Sequence, residues 1–427
     1  MTGFVLNVYL AQTLYPGAHQ KAELAFAFTA LNLASAIPFI FGGPVAGAWT
    51  DRLDRRMILL VANAASGMLT LAMLLLMLAG PLNVWALVAI GILASTVGAF
   101  HFAAFDASYA MLVPDRLLAR ANGMMWTTWS LAGIVSPALA AFILAWPALG
   151  RQGLAPFGPL ASITDATPLV IAIDTVTFVV AAVALLFLDI PSPVRSDLAA
   201  SGSERPSLWA DIREGALFIW DRRPVVWLLG TFTVANLAVA PAGVLVPLLV
   251  KFNLAGDWQA QGYTFETALA LLSVTAGIGG LIGGLLISTW GGLEKHRVYG
   301  VLIPMLLGGI AQIAYGFSPL VLLCTVAAFI KALMEPVFNA HSQAIWQSIT
   351  PRELQGRVFS VRRLIAQATR PLGTAAAGIA AGVLDPGYVY GAFGLVWVVF
   401  CAAQLFNPYM LRVEDKAGLQ QLATSRR

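Results

Sequence analysis

Long apolar runs recur along the whole chain and constrain its fold more than any other feature. A helix of about 20 apolar residues crosses a bilayer core of roughly 30 Å. Only 11% of the 427 residues are charged, against about 25% in soluble proteins, so the outer surface must face lipid. The sequence therefore predicts an all-α membrane protein. Eleven runs are long enough to span, at 24–48, 57–80, 84–106, 122–146, 168–189, 225–250, 267–289, 298–317, 320–340, 361–383 and 388–409.

Basic residues are distributed unevenly over the loops between these runs. With a cytoplasmic N-terminus, 20 Lys and Arg side chains fall in the inner loops, the central stretch and the C-terminal tail. The outer loops hold only Lys21, Arg151 and Lys251. Cytoplasmic loops of membrane proteins carry such an excess, so we expect both termini to face the cytoplasm. The same bias explains the net charge of +4, and no nucleic-acid partner is predicted.

A polar stretch at 191–224 divides the apolar runs into two sets. Its first part is rich in Ser, Pro and charged residues. Its second part, 207–221, has a helical period, which predicts an interfacial helix under the bilayer; a regulatory site is the alternative. The apolar face of that helix would comprise Leu208, Ile212, Ala216 and Ile219. The predicted organisation is a six-helix half at 1–190, a cytoplasmic linker at 191–224, a second six-helix half at 225–410 and a cytoplasmic tail at 411–427.

The two halves carry matching residues at a constant spacing. A shift of 237 residues carries Gly42, Gly43 and Gly47 onto Gly279, Gly280 and Gly284. The same shift carries Pro114, Leu117 and Arg120 onto Pro351, Leu354 and Arg357. Two homologous six-helix halves are typical of transporters, whose substrate site lies near the middle of the membrane between the repeats.

Both its length and the 237-residue shift indicate that the first helix is short. The apolar run from Met1 to about Leu14 rises only about 21 Å as a helix. If this short run is counted as the first of twelve spans, the seventh span starts near Val225, and the shift maps Val225 to about twelve residues before Met1. We therefore expect that the sequence lacks the first half of its first helix. A first helix that is short by nature is the alternative.

The segment GAWTDRLDRR at 47–56 lies between the second and third spans. It resembles the G-x-x-x-D-R-x-G-R-R signature of the major facilitator superfamily, with Asp54 in place of a glycine, a variant of the drug-efflux-like branch. The resemblance implies a major-facilitator-type bundle of 12 helices, six in each half. It also implies a conformational latch, in which Gly47 packs closely and Asp51 caps a helix end and pairs with Arg55. A basic loop that only sets topology is the alternative. The other predicted latch residues are Arg52, Arg56 and Asp106.

A second segment, NAHSQAIWQSITPRELQGRV at 339–358, resembles the end of the tenth span in macrolide-efflux-like members of that superfamily. This likeness implies transport driven by an ion gradient, usually export in exchange for protons.

The fifth span contains Gly133, Ser136 and Pro137 in a segment similar to the G-P-x-x-G-G antiporter motif, with serine and alanine at three glycine positions. The chain has no Walker A pattern, so ATP is not a predicted energy source. The glycine run at 277–284 indicates close helix packing.

Four charged residues lie inside predicted spans, where ionisable groups are costly and therefore candidates for function. They are Asp174, Lys331, Glu335 and Arg370. Lys331 and Glu335 share a helix face, and Pro336 could loosen the helix beside them. We predict that Glu335 carries the proton and that Lys331 or Arg370 adjusts its proton affinity; a permanent ion pair is the alternative. For Asp174, a hydrogen bond between packed helices is favoured over a coupling role.

Polar side chains on the spans that line the central cavity in this superfamily are the substrate-site candidates: Asn7, Gln12, His101, Asn236 and Asn339. For His101 a packing role is the alternative. A mainly apolar cavity suits small amphiphilic molecules such as drugs, macrolides or secondary metabolites.

Both cysteines, Cys324 and Cys401, lie in apolar runs, and the histidines are scattered. No enzyme activity, cofactor or metal site is therefore predicted.

The predicted function is export of small amphiphilic molecules by proton antiport and alternating access, by a monomer in the bacterial inner membrane. One alternative is a nutrient or siderophore-type permease of the same fold. Another is a transport-inactive membrane sensor or assembly protein.

Overall fold

The computed structural model describes residues 1–50, 53–112, 118–151, 165–188, 190, 208–351 and 354–415. All regular secondary structure in these ranges is helical. Ten of the described helices are long and apolar enough to cross a membrane. The protein is thus a multi-pass all-α membrane protein, which confirms the predicted fold class.

The N-terminal part of the chain forms the first six helices. They are α1 (Thr2–Tyr9), α2 (Lys21–Thr50), α3 (Arg55–Ala79), α4 (Val84–Leu112), α5 (Leu118–Arg151) and α6 (Thr167–Leu185). Helix α1 continues into a π-helical turn at Leu10–Leu14, and together they are shorter than the bilayer core, as predicted.

The remaining helices follow the linker. They are α7 (Leu208–Trp220), α8 (Arg223–Val239), α9 (Ala242–Leu248), α10 (Ala255–Ala260), α11 (Phe265–Trp290), α12 (Arg297–Phe317), α13 (Val321–Ile349), α14 (Gln355–Ala368), α15 (Arg370–Val383), α16 (Pro386–Gln404) and α17 (Pro408–Leu411). Helices α8 and α9 with the π-helical turn at Leu249–Asn253 form one apolar stretch, Arg223–Asn253.

The chain forms two compact units. The first contains 1–201, 246–274 and 381–383, and the second contains 202–245, 275–380 and 384–427. In the first, α2 packs on α4, and α3 packs on α4 and α6. In the second, α12 packs on α13 and α16, and α8 packs on α14 and α16. The interior of the second unit is built around large buried side chains that include Phe338, Trp346 and Trp397.

The predicted eleventh span, 361–383, is not one helix. It is divided between α14 and α15, with a break at Thr369. Pro371 has no N–H to donate to the carbonyl of Gln367, so the helical ladder is interrupted here. At the break, the Thr369 hydroxyl donates to the Thr233 carbonyl oxygen on α8, at 2.9 Å. Helix α15 alone has 14 residues, about 21 Å, so crossing the bilayer requires both pieces.

The π-helical turns at the ends of α1 and α9 meet within the first unit. The Lys251 ammonium lies in the second turn and donates to the carbonyl oxygens of Ala11 and Tyr15 at the end of the first. A cation near a helix C-terminus is favoured by the partial negative charge there. The hydropathy pattern predicts an outer loop for Lys251 and does not indicate this contact.

Two glycines of the 277–284 run bring α11 against α13. A β-carbon added at Gly279 would overlap the Phe329 carbonyl oxygen, and one added at Gly283 would overlap the Leu333 carbonyl oxygen. A β-carbon at Gly284 would meet nothing within 4 Å. The run thus packs helices closely, as the sequence analysis expected, and positions 279 and 283 form the small-residue pair that allows it.

The linker helix α7 packs against α14 in the second unit. A β-carbon at Gly215 would lie 2.6 Å from the Arg357 carbonyl oxygen, and the Arg357 guanidinium forms an ion pair with Glu214. Ile219 is fully buried, whereas Ile212 is 38% exposed, so part of the predicted apolar face packs on protein. The side chain of Leu208 and the linker residues 191–207 lie outside the described residues.

Candidate functional site

The loop of the 47–56 motif is held by two residues on either side of Arg55. The Asp54 carboxylate accepts hydrogen bonds from the Arg56 and Met57 backbone N–H groups at 2.9 and 3.2 Å, and so caps α3. An N-cap carboxylate satisfies helix donors that have no partner in the first turn. The aspartate that replaces the signature's glycine therefore has a structural role, which the sequence analysis did not assign.

Arg56 joins the start of α3 to the end of α6. Its Nε donates to the Leu185 carbonyl oxygen at 3.1 Å, and its Nη2 donates to the Leu186 carbonyl oxygen at 2.6 Å. The last carbonyls of a helix lack partners within it, and a cation there also interacts favourably with the helix dipole. Arg56 thereby ties the motif loop to the last span of the N-terminal half.

Arg56→Ala is expected to lower the melting temperature of the purified protein by roughly 1–4 °C. The substitution removes two hydrogen bonds from a charged donor at a partly exposed position, worth about 1–2 kcal/mol together. Fluorescence-detected thermal unfolding in detergent measures the effect. Arg213→Ala is the control, because Arg213 is exposed on α7. Equal shifts in the two variants would contradict this role for Arg56.

The other predicted latch residues are placed as follows. Arg55 is buried, with 8% of its surface exposed, whereas Asp106 is exposed in the last third of α4. A β-carbon at Gly47 would meet nothing within 4 Å among the described residues, and the close packing of Gly47 against a helix of the other half stays a prediction. Asp51 and Arg52 lie outside the described residues.

The two charged residues of α13 have different surroundings. Lys331 is partly buried, and its Nζ donates to the Tyr390 hydroxyl on α16 at 2.8 Å and lies 5.1 Å from that ring's centroid. Glu335 is exposed, and its carboxylate makes no hydrogen bond or ion pair with any described residue. A Lys331–Glu335 ion pair, the permanent-pair alternative, is therefore absent from this part of the structure.

Tyr390, the partner of Lys331, belongs to a buried polar group between α12 and α16. Its ring meets Tyr315 edge-on, with centroids 5.4 Å apart. The Gln312 side chain donates to the carbonyl oxygens of Ala238 and Tyr390 at 2.9 and 3.4 Å. These contacts fix α16 and the hydroxyl that Lys331 uses. Nothing in the spacing of residues 331 and 390 along the chain indicates this pairing.

Two further charged residues lie in predicted spans. Arg370 is the first residue of α15 and is exposed. Asp174 on α6 accepts a hydrogen bond from the Thr2 hydroxyl on α1. This contact joins two packed helices of the first unit, which is the kind of interaction that the sequence analysis favoured for Asp174.

The predicted substrate-site residues are distributed over both units. The amides of Asn236 and Asn339 each donate to a carbonyl oxygen one turn earlier, on Phe232 and Glu335, at 2.9 Å. The other three lie in the first unit: Asn7 is partly buried, Gln12 is exposed, and His101 stacks on Phe105 with centroids 6.3 Å apart.

The antiporter-like segment lies in the middle of α5. Ser136 and Pro137 are partly buried, and Gly133 is exposed with nothing within 4 Å of an added β-carbon. Pro137 has no N–H for the helical ladder and weakens α5 at this point.

His341 on α13 was not singled out from the sequence, although it lies in the 339–358 segment. It is buried, and its imidazole holds the turn between α11 and α12. The Leu293 backbone N–H donates to Nε2 at 2.8 Å, and Nδ1 lies 2.7 Å from the Val337 carbonyl oxygen.

Comparisons with known proteins agree with this fold. The family model of the Major Facilitator Superfamily matches residues 1–297. Macrolide efflux protein A of Enterococcus faecalis is 26% identical over 351 residues, which cover 80% of this chain and 97% of that protein. Multidrug efflux pump Tap of Mycobacterium tuberculosis is 26% identical over 365 residues, which cover 81% of this chain and 76% of the pump.

A solved structure of a POT family transporter in complex with 5-aminolevulinic acid superimposes with a TM-score of 0.66 at 13% identity. The match covers 96% of this chain and 93% of the other. At that identity the likeness supports the fold alone. The family match covers most of the chain, and the chain belongs to the Major Facilitator Superfamily. Its curated relatives are drug-efflux members, which confirms the branch predicted from the sequence.

Proposed function

We propose that this protein exports small amphiphilic molecules of the drug and macrolide class from bacteria. The observation that carries the proposal is the match to macrolide efflux protein A along 97% of that protein's length. The 47–56 and 339–358 segments support the same branch. The mechanism we propose is alternating access of a monomer in the inner membrane, with both termini in the cytoplasm as the basic loops indicate.

Proton antiport is the proposed energy source, and Glu335 is the proposed proton carrier. An ionised carboxylate at membrane depth is costly unless it is paired or hydrated. Because Lys331 is hydrogen bonded to Tyr390, Glu335 has no described cation to keep it ionised permanently. This arrangement supports a carboxyl group that gains and loses a proton during the cycle.

Expression in a bacterium that lacks its own efflux pumps tests the proposal. We expect intracellular accumulation of erythromycin, a macrolide, to fall several-fold and resistance to it to rise. Accumulation of a nutrient or a siderophore, with no resistance to any drug tested, would favour the permease alternative. A protein that is correctly inserted but changes the accumulation of no solute would favour the sensor or assembly alternative.

A further inference from the structure

The turn between α11 and α12 is the second-half counterpart of the 47–56 loop. The 237-residue shift carries Asp54, Arg55 and Arg56 onto Gly291, Gly292 and Leu293. The residues that cap α3 and tie it to α6 are therefore missing from this turn. Other groups must hold it in place, and the His341 side chain is the one that joins it to α13, through the Leu293 N–H.

The glycines of the turn and of α12 leave room for the His341 imidazole to lie close to the backbone. Gly291 and Gly292 both have a φ of +80°, a conformation that favours glycine. A β-carbon at Gly292 would lie 2.8 Å from His341 Nε2, and one at Gly300 would overlap the imidazole carbon Cδ2. The Trp290 ring closes one side, with its centroid 5.9 Å from that of the imidazole.

The two hydrogen bonds of the His341 imidazole require one particular tautomer of the ring. The Val337 carbonyl oxygen can only accept, so Nδ1 must carry a hydrogen, whereas Nε2 must carry none to accept from the Leu293 N–H. This is the neutral Nδ1–H tautomer. A proton added at Nε2 would point at the Leu293 N–H, and the turn would lose its hydrogen bond to α13. Histidine is the side chain that changes charge between about pH 5 and pH 8.

The charged groups around the turn engage other partners or are exposed. Arg297 Nε donates to the Leu293 carbonyl oxygen at 3.2 Å, and Glu414 accepts from the Val298 N–H at 3.0 Å. On the far side of α13, Arg362 on α14 donates to Gln343 and lies over the Trp346 ring. The exposed groups of the turn are Glu294, Lys295 and His296.

We propose that His341 is a proton-sensitive lock on the α11–α12 turn, closed when the imidazole is neutral and open when it is protonated. His341 is thus a positioning residue that acts through the Leu293 backbone. Its place in the transport cycle rests on the proposed function: the turn is on the predicted cytoplasmic side, where protonation would release the junction of two spans. The lock itself can be measured without any substrate.

A spin label in the turn tests the lock in the full-length protein. Glu294→Cys provides the attachment site, because both native cysteines, Cys324 and Cys401, are buried. After labelling at a single pH, spectra are recorded between about pH 5 and pH 8, the range of histidine titration. We expect the mobile fraction to be several-fold larger at the acidic end than at the alkaline end.

Two variants assign the response to one histidine. In His341→Gln the side-chain oxygen can accept near the position of Nε2 and cannot be protonated, so the label should stay immobile at every pH. His296→Asn removes the exposed histidine of the same turn, and Asn tolerates its φ of 55°. This control should keep the full pH response.

The proposal is overturned if the unmodified turn shows no pH response, if the response survives His341→Gln, or if it is lost in His296→Asn. If His341→Gln does not elute as a folded monodisperse protein, Gly300→Ala carries the test, since it displaces the imidazole sterically. That variant should be mobile at every pH, and an unchanged response would reject the lock. Because none of these readouts measures transport, they do not depend on whether the protein exports macrolides.

Discussion

Glu335→Gln is expected to abolish proton-driven efflux and to leave the protein inserted and folded. The amide is close in shape to the carboxyl group but cannot exchange a proton, so a cycle that depends on Glu335 stops. Folding should be unaffected because the Glu335 side chain is exposed and makes no hydrogen bond or ion pair among the described residues. The measurement is erythromycin uptake into inverted membrane vesicles under an imposed pH gradient, since uptake in this orientation corresponds to efflux from the cell.

Asp174→Asn is the contrasting variant for that experiment. Its carboxylate accepts a hydrogen bond from Thr2 on a neighbouring helix, and an asparagine oxygen can still accept it. We expect Asp174→Asn to retain most of the efflux rate. Efflux at the unmodified rate in Glu335→Gln, or a loss confined to Asp174→Asn, would reject Glu335 as the proton carrier.

Gly283→Ala is expected to destabilise the second unit, although alanine is the better helix former. The added β-carbon would overlap the Leu333 carbonyl oxygen on α13, a backbone atom that cannot rotate away. Overpacking of this kind costs about 1–3 kcal/mol and is offset by a gain of about 1 kcal/mol in helix propensity, which leaves a net loss of up to about 2 kcal/mol. Thermal unfolding and the yield of monodisperse protein report the effect.

Gly284→Ala is the matched control, one residue further along α11. Nothing lies within 4 Å of its added β-carbon, so only the helix-propensity gain should remain. The two variants are thus expected to shift the melting temperature in opposite directions. Shifts of the same sign and size would mean that the α11–α13 contact is not as close as described.

Most of the membrane architecture was predictable because a bilayer imposes a single length and polarity on every span. Ten predicted spans correspond to helices long enough to cross. The eleventh differs because hydropathy averages over 361–383 and does not register a local break. Pro371 marks that break in the sequence, but the hydrogen bond from Thr369 to Thr233 at the break depends on how α8 packs.

The candidate site was less predictable, because depth in the membrane identifies a charge and does not identify its partner. Lys331 and Glu335 are four residues apart, which suggested an ion pair, yet Lys331 reaches Tyr390 on another helix. Asp54 looked like a departure from a signature and is an N-cap. His341 gave no signal as a lone histidine, since its importance comes from the backbone of a turn 48 residues away.

Erythromycin transport by the purified protein in proteoliposomes tests the central claim most directly. With the chain in one orientation and a pH gradient imposed across the vesicle membrane, we expect erythromycin to move against its concentration gradient while protons move the opposite way. Collapse of the gradient with a protonophore should stop the accumulation. Erythromycin transport at a rate independent of the pH gradient would contradict the account. So would a lack of erythromycin transport together with uptake of a nutrient in the direction of the proton flow.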